Sequence, residues 1–170
     1  TRIVLQHSSD KFPVVGIASD AGFVSINMSK YLMNREVGFG RKALQILEDL
    51  NIGWEHMPTG IDDLSIILRE RELTPIKEEE ILRQLVQKAE VDHAEIEHGL
   101  SIIMIVGEKM KRHIGVTATA TRALSENNIN IQMMSQGSSE VSIMFVVHKD
   151  QEKAALKALY QAFFGENKED

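Results

Sequence analysis

Six histidines (His7, His56, His93, His98, His113 and His148) are the first candidates for metal or acid–base chemistry, and their spacing argues against both. No two stand four apart, as they would on one helix face, and His93 and His98 fall on opposite faces of a strand. A metal site gathers its ligands on one face with carboxylate support. Ser135-Gln136-Gly137-Ser138-Ser139-Glu140 offers hydroxyls but neither a strand-to-helix elbow nor a paired base, and reads as a hairpin turn. Gly38-Phe39-Gly40 precedes a helical pattern without completing a dinucleotide fingerprint, and no ribose-binding acid follows at the right place. The eight methionines read as gap-filling core. No catalytic constellation can be assembled.

Binding chemistry is better represented. Two strand-to-helix turns, residues 33–40 and 108–115, each carry a glycine just before a helix, Gly38 and Gly115. Free N–H groups at a helix start hold a carboxylate, and glycine lets a ligand approach the backbone. Glu36, Glu55, Asp62 and Asp63 can supply counter-charge for an ammonium group, against the plainer reading that they are solvated acids.

The chain has 170 residues, room for one medium domain or two small ones, with 43% hydrophobic and 26% charged residues. Nineteen basic and twenty-five acidic residues leave a net charge of −6, which repels a phosphate backbone, so nucleic acid is not an expected partner. The longest apolar run is Ile102-Ile103-Met104-Ile105-Val106, far short of the roughly 20 residues that span a bilayer, so no membrane partner is expected. There is no cysteine and no secretory apolar segment, which makes the cytoplasm the expected compartment. The sequence starts at Thr1, so we read it as a piece of a longer chain.

Positioning these turns requires short strands alternating with helices. Residues 14–18, 23–28, 52–57, 64–69 and 91–97 carry strand patterns, with helices expected over 39–50 and from Thr74-Pro75 onward. The stripe of that second helix would be Ile81, Leu82, Leu85, Val86 and Ala89. From Gly99 the series restarts: strand 100–106, helix 115–127, strands 129–134 and 141–148, and a last helix capped by Asp150. A gapless shift of 77 residues lays Gly38 on Gly115, Ala43 on Ala120, Leu47 on Leu124, Asn51 on Asn128 and Gly60 on Gly137. It also lays Ser65 on Ser142 and Ile66 on Ile143.

The fold class is therefore α+β: two ferredoxin-like βαββαβ units of about 75 residues, each a four-stranded antiparallel sheet with both helices on one face. The last strand of the second unit would fall at 168–174, past the end of the sequence, while residues 14–18 are surplus to the first. That leading strand should complete the second sheet, so that the first unit is inserted into the second. The expected division is 21–97 for the first domain, 12–20 plus 98–165 for the second, and a polar tail at 166–170.

Paired units of this kind with glycine at the strand–helix turn resemble ACT domains, which are amino-acid-sensing modules. The segment Asn128-Ile129-Asn130-Ile131-Gln132-Met133-Met134-Ser135-Gln136-Gly137-Ser138-Ser139-Glu140 resembles the strand–turn segment of aspartokinase regulatory regions. Gly107-Glu108-Lys109-Met110 followed by Gly115-Val116-Thr117-Ala118 is similar to the preceding turn of that family. Asn34-Arg35-Glu36-Val37-Gly38-Phe39-Gly40 and the stretch Trp54 to Asp63 are similar to a lysine-responsive branch, and Thr1-Arg2-Ile3-Val4 would continue the junction with a kinase domain.

The resemblance implies the regulatory part of an aspartate kinase, whose activity (ATP plus L-aspartate to aspartyl phosphate) belongs to the parent chain. The Lys-Phe-Gly-Gly type phosphate loop of that catalytic domain has no counterpart here, so this piece should need no cofactor, ATP and Mg being expected in the missing domain. The resemblance also implies feedback inhibition by an end-product amino acid, lysine first and threonine second, and a homodimer through the ACT units. Carried over position by position, the effector residues are Met33, Glu36, Gly38, Phe39, Gly40, Trp54, Glu55, Asp62 and Asp63; no metal site is implied. Glu55, or Asp62 and Asp63, would take the lysine ε-ammonium. The alternative is a free-standing ACT regulatory subunit such as that of acetolactate synthase.

Overall fold

In a computed structural model of the protein, residues 13–111 and 113–165 are described. The tail 166–170, residues 1–4 and the first residue of the expected 12–20 segment lie outside them. Five strands and four helices follow in the order β1 (Gly16–Ser29), α1 (Phe39–Asp49), β2 (Asp63–Arg69), α2 (Pro75–Gln84), β3 (His93–Val106), α3 (Val116–Glu126), β4 (Met133–Gln136), β5 (Ser142–His148) and α4 (Glu152–Phe164). They divide into two compact units: Gly22–Leu100, called the inserted unit below, and the host unit, described over residues 13–21 and 101–165.

The inserted unit has strand order β2-β1-β3, with β1 and β2 antiparallel in register from Phe23 opposite Arg69 to Ser29 opposite Asp63. Alternation along β1 turns Val24, Ile26 and Met28 onto α1, whose Phe39, Ala43, Ile46 and Leu47 complete one buried stripe. Thr74 starts α2: its Oγ1 accepts from the Lys77 N–H, and Pro75 takes the first helical position, where no donor is missed. The helix ends in a π turn, Leu85–Ala89, stopped by Glu90 in the left-handed region. Ile81, Leu85 and Ala89 are buried as the stripe requires, whereas Val86 is 56% exposed and Gln84 lies inward in its place.

In the host unit the order is β4-β5-β3-β1. Val14 is 1% exposed in a core with Ile103, Ile105, Phe145, Ala120, Leu124 and Leu159, and the Val15 N–H donates to Val106 O at 2.8 Å. The leading segment thus supplies the strand that the later unit lacks. Glu152, opening α4, ties the same strands together: its carboxylate accepts from Ser19 Oγ (2.7 Å) on β1 and Ser101 Oγ (3.2 Å) on β3.

Five details differ from the sequence reading, the first being that the strand expected at 129–134 runs from Met133 to Gln136. Strands expected at 14–18 and 23–28 are one continuous β1, and those at 91–97 and 100–106 one continuous β3. Gly22 (φ 84°) and Gly99 (φ 73°) take the left-handed region within these strands without ending them, which a side-chain-bearing residue does poorly. The expected strand 52–57 reduces to two isolated bridges, His56 with Ile67 and Thr59 with Leu64. There the N–H groups of Glu55 and His56 both point at Ile67 O, a two-against-one bulge, and Pro58 has no N–H to extend the ladder. The last helix begins after a 3-10 turn, with Gln151 rather than Asp150 at its N-cap. Finally, the shift of 77 carries α1 onto α3, but β5 starts at 142, two residues later than that shift would place β2. The second hairpin turn is longer, and the apparent matches of Ser65 and Ile66 with Ser142 and Ile143 do not correspond in the fold.

Candidate functional site

The turn between β1 and α1 is a chain of short backbone bonds. Lys30 O accepts from the Met33 N–H, Met33 O from Glu36, and Glu36 O from Phe39, winding residues 33–35 into one 3-10 turn. Gly38 follows with φ 84° as the N-cap of α1, and no side chain caps that helix. A left-handed residue is needed here to swing the chain into the helix, and glycine adopts it without a Cβ penalty. The result is an uncapped helix start whose approach is open: a Cβ on Gly40 would meet nothing within 4 Å.

Met33 and Phe39 are buried and form the floor of the turn, 6% and 4% exposed. Glu36 is held by two cations, Lys30 Nζ at 2.6 Å and Lys42 Nζ at 2.7 Å. The hydrogen bond from Lys30, then that from Lys42, holds the Glu36 carboxyl below its ordinary range despite partial burial. Lys30 is raised in turn, chiefly by its hydrogen bond to Glu36. Lys30 Nζ also donates to Ala89 O (3.0 Å) at the end of the π turn and stands 5.9 Å over the Phe39 ring. Glu36 is thereby a structural carboxylate, already matched to ammonium groups of its own chain.

The hairpin before β2 reaches the same end of the unit, since the Lys30 N–H donates to Asp62 O at 3.0 Å. Asp62 and Asp63 are exposed and face no cation within salt-bridge reach among the described residues. Tyr31, Val37 and Ile61, which rim this end, are apolar and exposed at 78%, 98% and 68%.

Trp54 and Glu55 lie elsewhere. Trp54 lines a cavity of about 1050 Å³ with Leu47, Glu48 and Asn51, at the C-terminal end of α1, roughly 16 Å along the helix from Gly38. Glu55 is paired with Arg69 Nε at 2.8 Å, and that guanidinium stacks 4.2 Å over the Phe23 ring. Of the nine residues singled out from sequence, seven gather at one end of the inserted unit and two at the other. Sequence reasoning missed the cations Lys30 and Lys42, six residues either side of Glu36, because no helical or strand period relates them.

It also left the sister turn without named residues. In the host unit a cavity of about 730 Å³ opens at the start of α3, lined by Met110, Gly115, Thr117, Ala118, Gln136 and Ser138 among others. Gly115 has φ 98°, and a Cβ placed on it would meet nothing within 4 Å; Thr117 Oγ1 donates to Gln136 Oε1 at 3.5 Å. The match of Gly38 with Gly115 was the signal for this equivalence. No helix among the described residues is long and apolar enough to cross a membrane, and none of their His, Asp or Glu groups of three or more gathers as a metal site.

Comparison with known proteins finds relatives of the chain as a whole. The family described as ACT domain matches residues 103–163. Aspartokinase 3 of Bacillus subtilis is 51% identical over 164 residues, covering 96% of this chain and 36% of that protein. The crystal structure of Clostridium acetobutylicum aspartate kinase superposes with a TM-score of 0.83 at 35% identity, over 88% of this chain and 34% of that one. E. coli aspartokinase III in complex with lysine and aspartate shares the fold, with a TM-score of 0.71 at 19% identity over 92% of this chain and 35% of that one. The chain spans about a third of the length of these relatives.

Proposed function

This chain is an ACT-domain regulatory region of the aspartokinase family, and from that premise we propose that it is the amino-acid-sensing part of an aspartate kinase, with lysine as effector and threonine as the second choice. The parent would phosphorylate L-aspartate with ATP and Mg in a catalytic part beyond this chain, in the cytoplasm, and feedback through this region would set the flux to lysine, threonine and methionine. The observation that carries the reading is the pair of uncapped, glycine-led helix starts, Gly38 and Gly115, at equivalent places in the two units. Each offers backbone N–H groups to an α-carboxylate and leaves space for a ligand backbone.

Lysine is favoured over a neutral amino acid by Asp62 and Asp63, two carboxylates at the Gly38 end with no cation of their own among the described residues. Glu36 and Glu55, by contrast, are occupied by Lys30, Lys42 and Arg69. That the E. coli relative is described with lysine and aspartate bound supports the same choice. The exposed Tyr31, Val37 and Ile61 favour a second copy of the chain against this end, giving a two-fold homodimer with effector at its interface.

Calorimetric titration with lysine, threonine, methionine and valine tests the reading, with sedimentation as a companion. Lysine should bind, and a double variant Asp62→Asn, Asp63→Asn should weaken lysine by about tenfold or more while leaving threonine within about twofold. Absence of heat with all four amino acids would refute amino-acid sensing by this chain; equal loss for lysine and threonine would move the charge contact away from Asp62 and Asp63.

A further inference from the structure

The cavity beside Trp54 is separate from the effector turn, and its unspent groups define what it would bind. Two carboxylates line it, and both are already engaged: Glu72 Oε2 accepts from the Gly53 N–H at 2.9 Å, and Glu48 Oε2 from Gln45 Nε2 at 3.1 Å. The carbonyls at the end of α1 are engaged too, Leu47 O by the N–H groups of Leu50 and Ile52, and Glu48 O by that of Asn51. The two carboxylates keep their charge, so the charged side chains of the lining balance, and the hydrogen-bonding capacity left open is that of the cations. Arg71 lines the cavity and has no hydrogen-bond or salt-bridge partner among the described residues. Lys77 reaches only the backbone carbonyl of Glu72, at 3.3 Å, leaving two of its three donors unspent. The cavity also receives the start of α2, at Thr74, the positive end of that helix dipole.

Beside these cations Trp54 presents a half-exposed indole, the kind of flat, polarisable face on which planar rings stack. The volume of about 1050 Å³ is at the upper end of small-molecule sites. The sister unit lacks the same equipment: Ile131 follows α3 where Trp54 follows α1, and Asp150 stands in the 3-10 turn after β5 where Arg71 stands after β2. The duplication therefore does not account for the grouping.

We propose that the cavity formed by Trp54, Arg71 and Lys77 is a second small-molecule site, taking a planar aromatic ligand that carries an anionic group. The ring stacks on the indole, and the anion is held by the guanidinium and ammonium groups through charge-assisted hydrogen bonds. The site is independent of the amino-acid reading, because it uses none of the residues at the Gly38 end.

The chain has one tryptophan, so its fluorescence reports this cavity directly. AMP serves as the probe, being planar and anionic, with adenosine and inorganic phosphate each carrying one half of that chemistry. AMP should quench Trp54 saturably, while adenosine and phosphate, followed by calorimetry as well as by fluorescence, bind about tenfold or more weakly. A double variant Arg71→Ala, Lys77→Ala should weaken AMP by about tenfold or more, and Asp62→Asn with Asp63→Asn should leave it unchanged. No saturable binding of AMP up to about 10 mM would overturn the proposal. So would equal affinity in the Arg71 and Lys77 double variant, provided its circular dichroism matches the parent chain.

Discussion

Replacing Gly107 by alanine tests whether the leading segment belongs to the host unit. Gly107 has φ 174°, extended backbone that alanine adopts without strain, so the substitution carries no conformational cost of its own. Its Cβ, however, would overlap the Pro13 carbonyl oxygen and lie 3.1 Å from Val14 Cα. Backbone cannot yield as a flexible side chain does, so the 13–15 segment must move. Two contacts are then at risk: burial of Val14, now 1% exposed, and the 2.8 Å bond from Val15 N–H to Val106 O. Burying a valine side chain is worth about 1.5–3 kcal/mol, and a backbone hydrogen bond about 0.5–1.5 kcal/mol net. Gly107→Ala should therefore destabilise by about 2–4 kcal/mol. Urea unfolding followed by circular dichroism measures the total, and tryptophan fluorescence follows the inserted unit, where Trp54 resides. A loss under about 0.5 kcal/mol would mean that the leading segment is not seated against Gly107, and the insertion would fail with it.

Gly40→Ala, by contrast, sits in the first turn of α1 with open space around its Cβ position, and should raise stability by up to about 1 kcal/mol in the same denaturation assay. If lysine approaches that backbone, the same variant loses affinity in calorimetry. Glu36→Gln probes the turn by pH. The Glu36 carboxyl is depressed by Lys30 and Lys42, so its contribution is full above the ordinary value of 4.5 and lost as pH falls through the lower folded value. The melting-temperature gap between wild type and Glu36→Gln should be constant from pH 6 to 8 and close below about pH 4. His56 acts in the same direction at higher pH: burial lowers its pKa from 6.5, and its Nε2 has no partner among the described residues. The unfolded chain binds the proton first, so stability falls as pH drops below 6.5, and His56→Leu should flatten that slope between pH 7 and 5.

The helices and the doubled plan were legible because amphipathic spacing and glycine before a helix are local signals. Phe39, Ala43 and Leu47 stand four apart, and their partners Val116, Ala120 and Leu124 repeat the stripe. The surplus leading strand followed from counting strands. What stayed hidden depends on geometry that no short window carries. Gly22 and Gly99 look like breaks but are left-handed residues within continuous strands, because a glycine's φ is set by the sheet and not by its neighbours in sequence. The longer second hairpin was masked by chance identities at Ser142 and Ile143. The candidate site was legible in its turn, where Met33, Gly38 and Phe39 serve as floor and hinge, and illegible in its charges. Glu36 and Glu55 look available on paper, and only the fold brings Lys30, Lys42 and Arg69 to them.

The interleaving of the chain also fixes an order of events during synthesis. Residues 14–21 leave the ribosome ahead of the inserted unit, yet their partners on β3 and the core residues of α3, β5 and α4 arrive only after the whole inserted unit has been made. At about 5–20 residues per second that interval is on the order of ten seconds. Through it, Val14 and its neighbours travel with the nascent polypeptide as an uncommitted ribbon, and a strand made before the inserted unit finds its seat only after it.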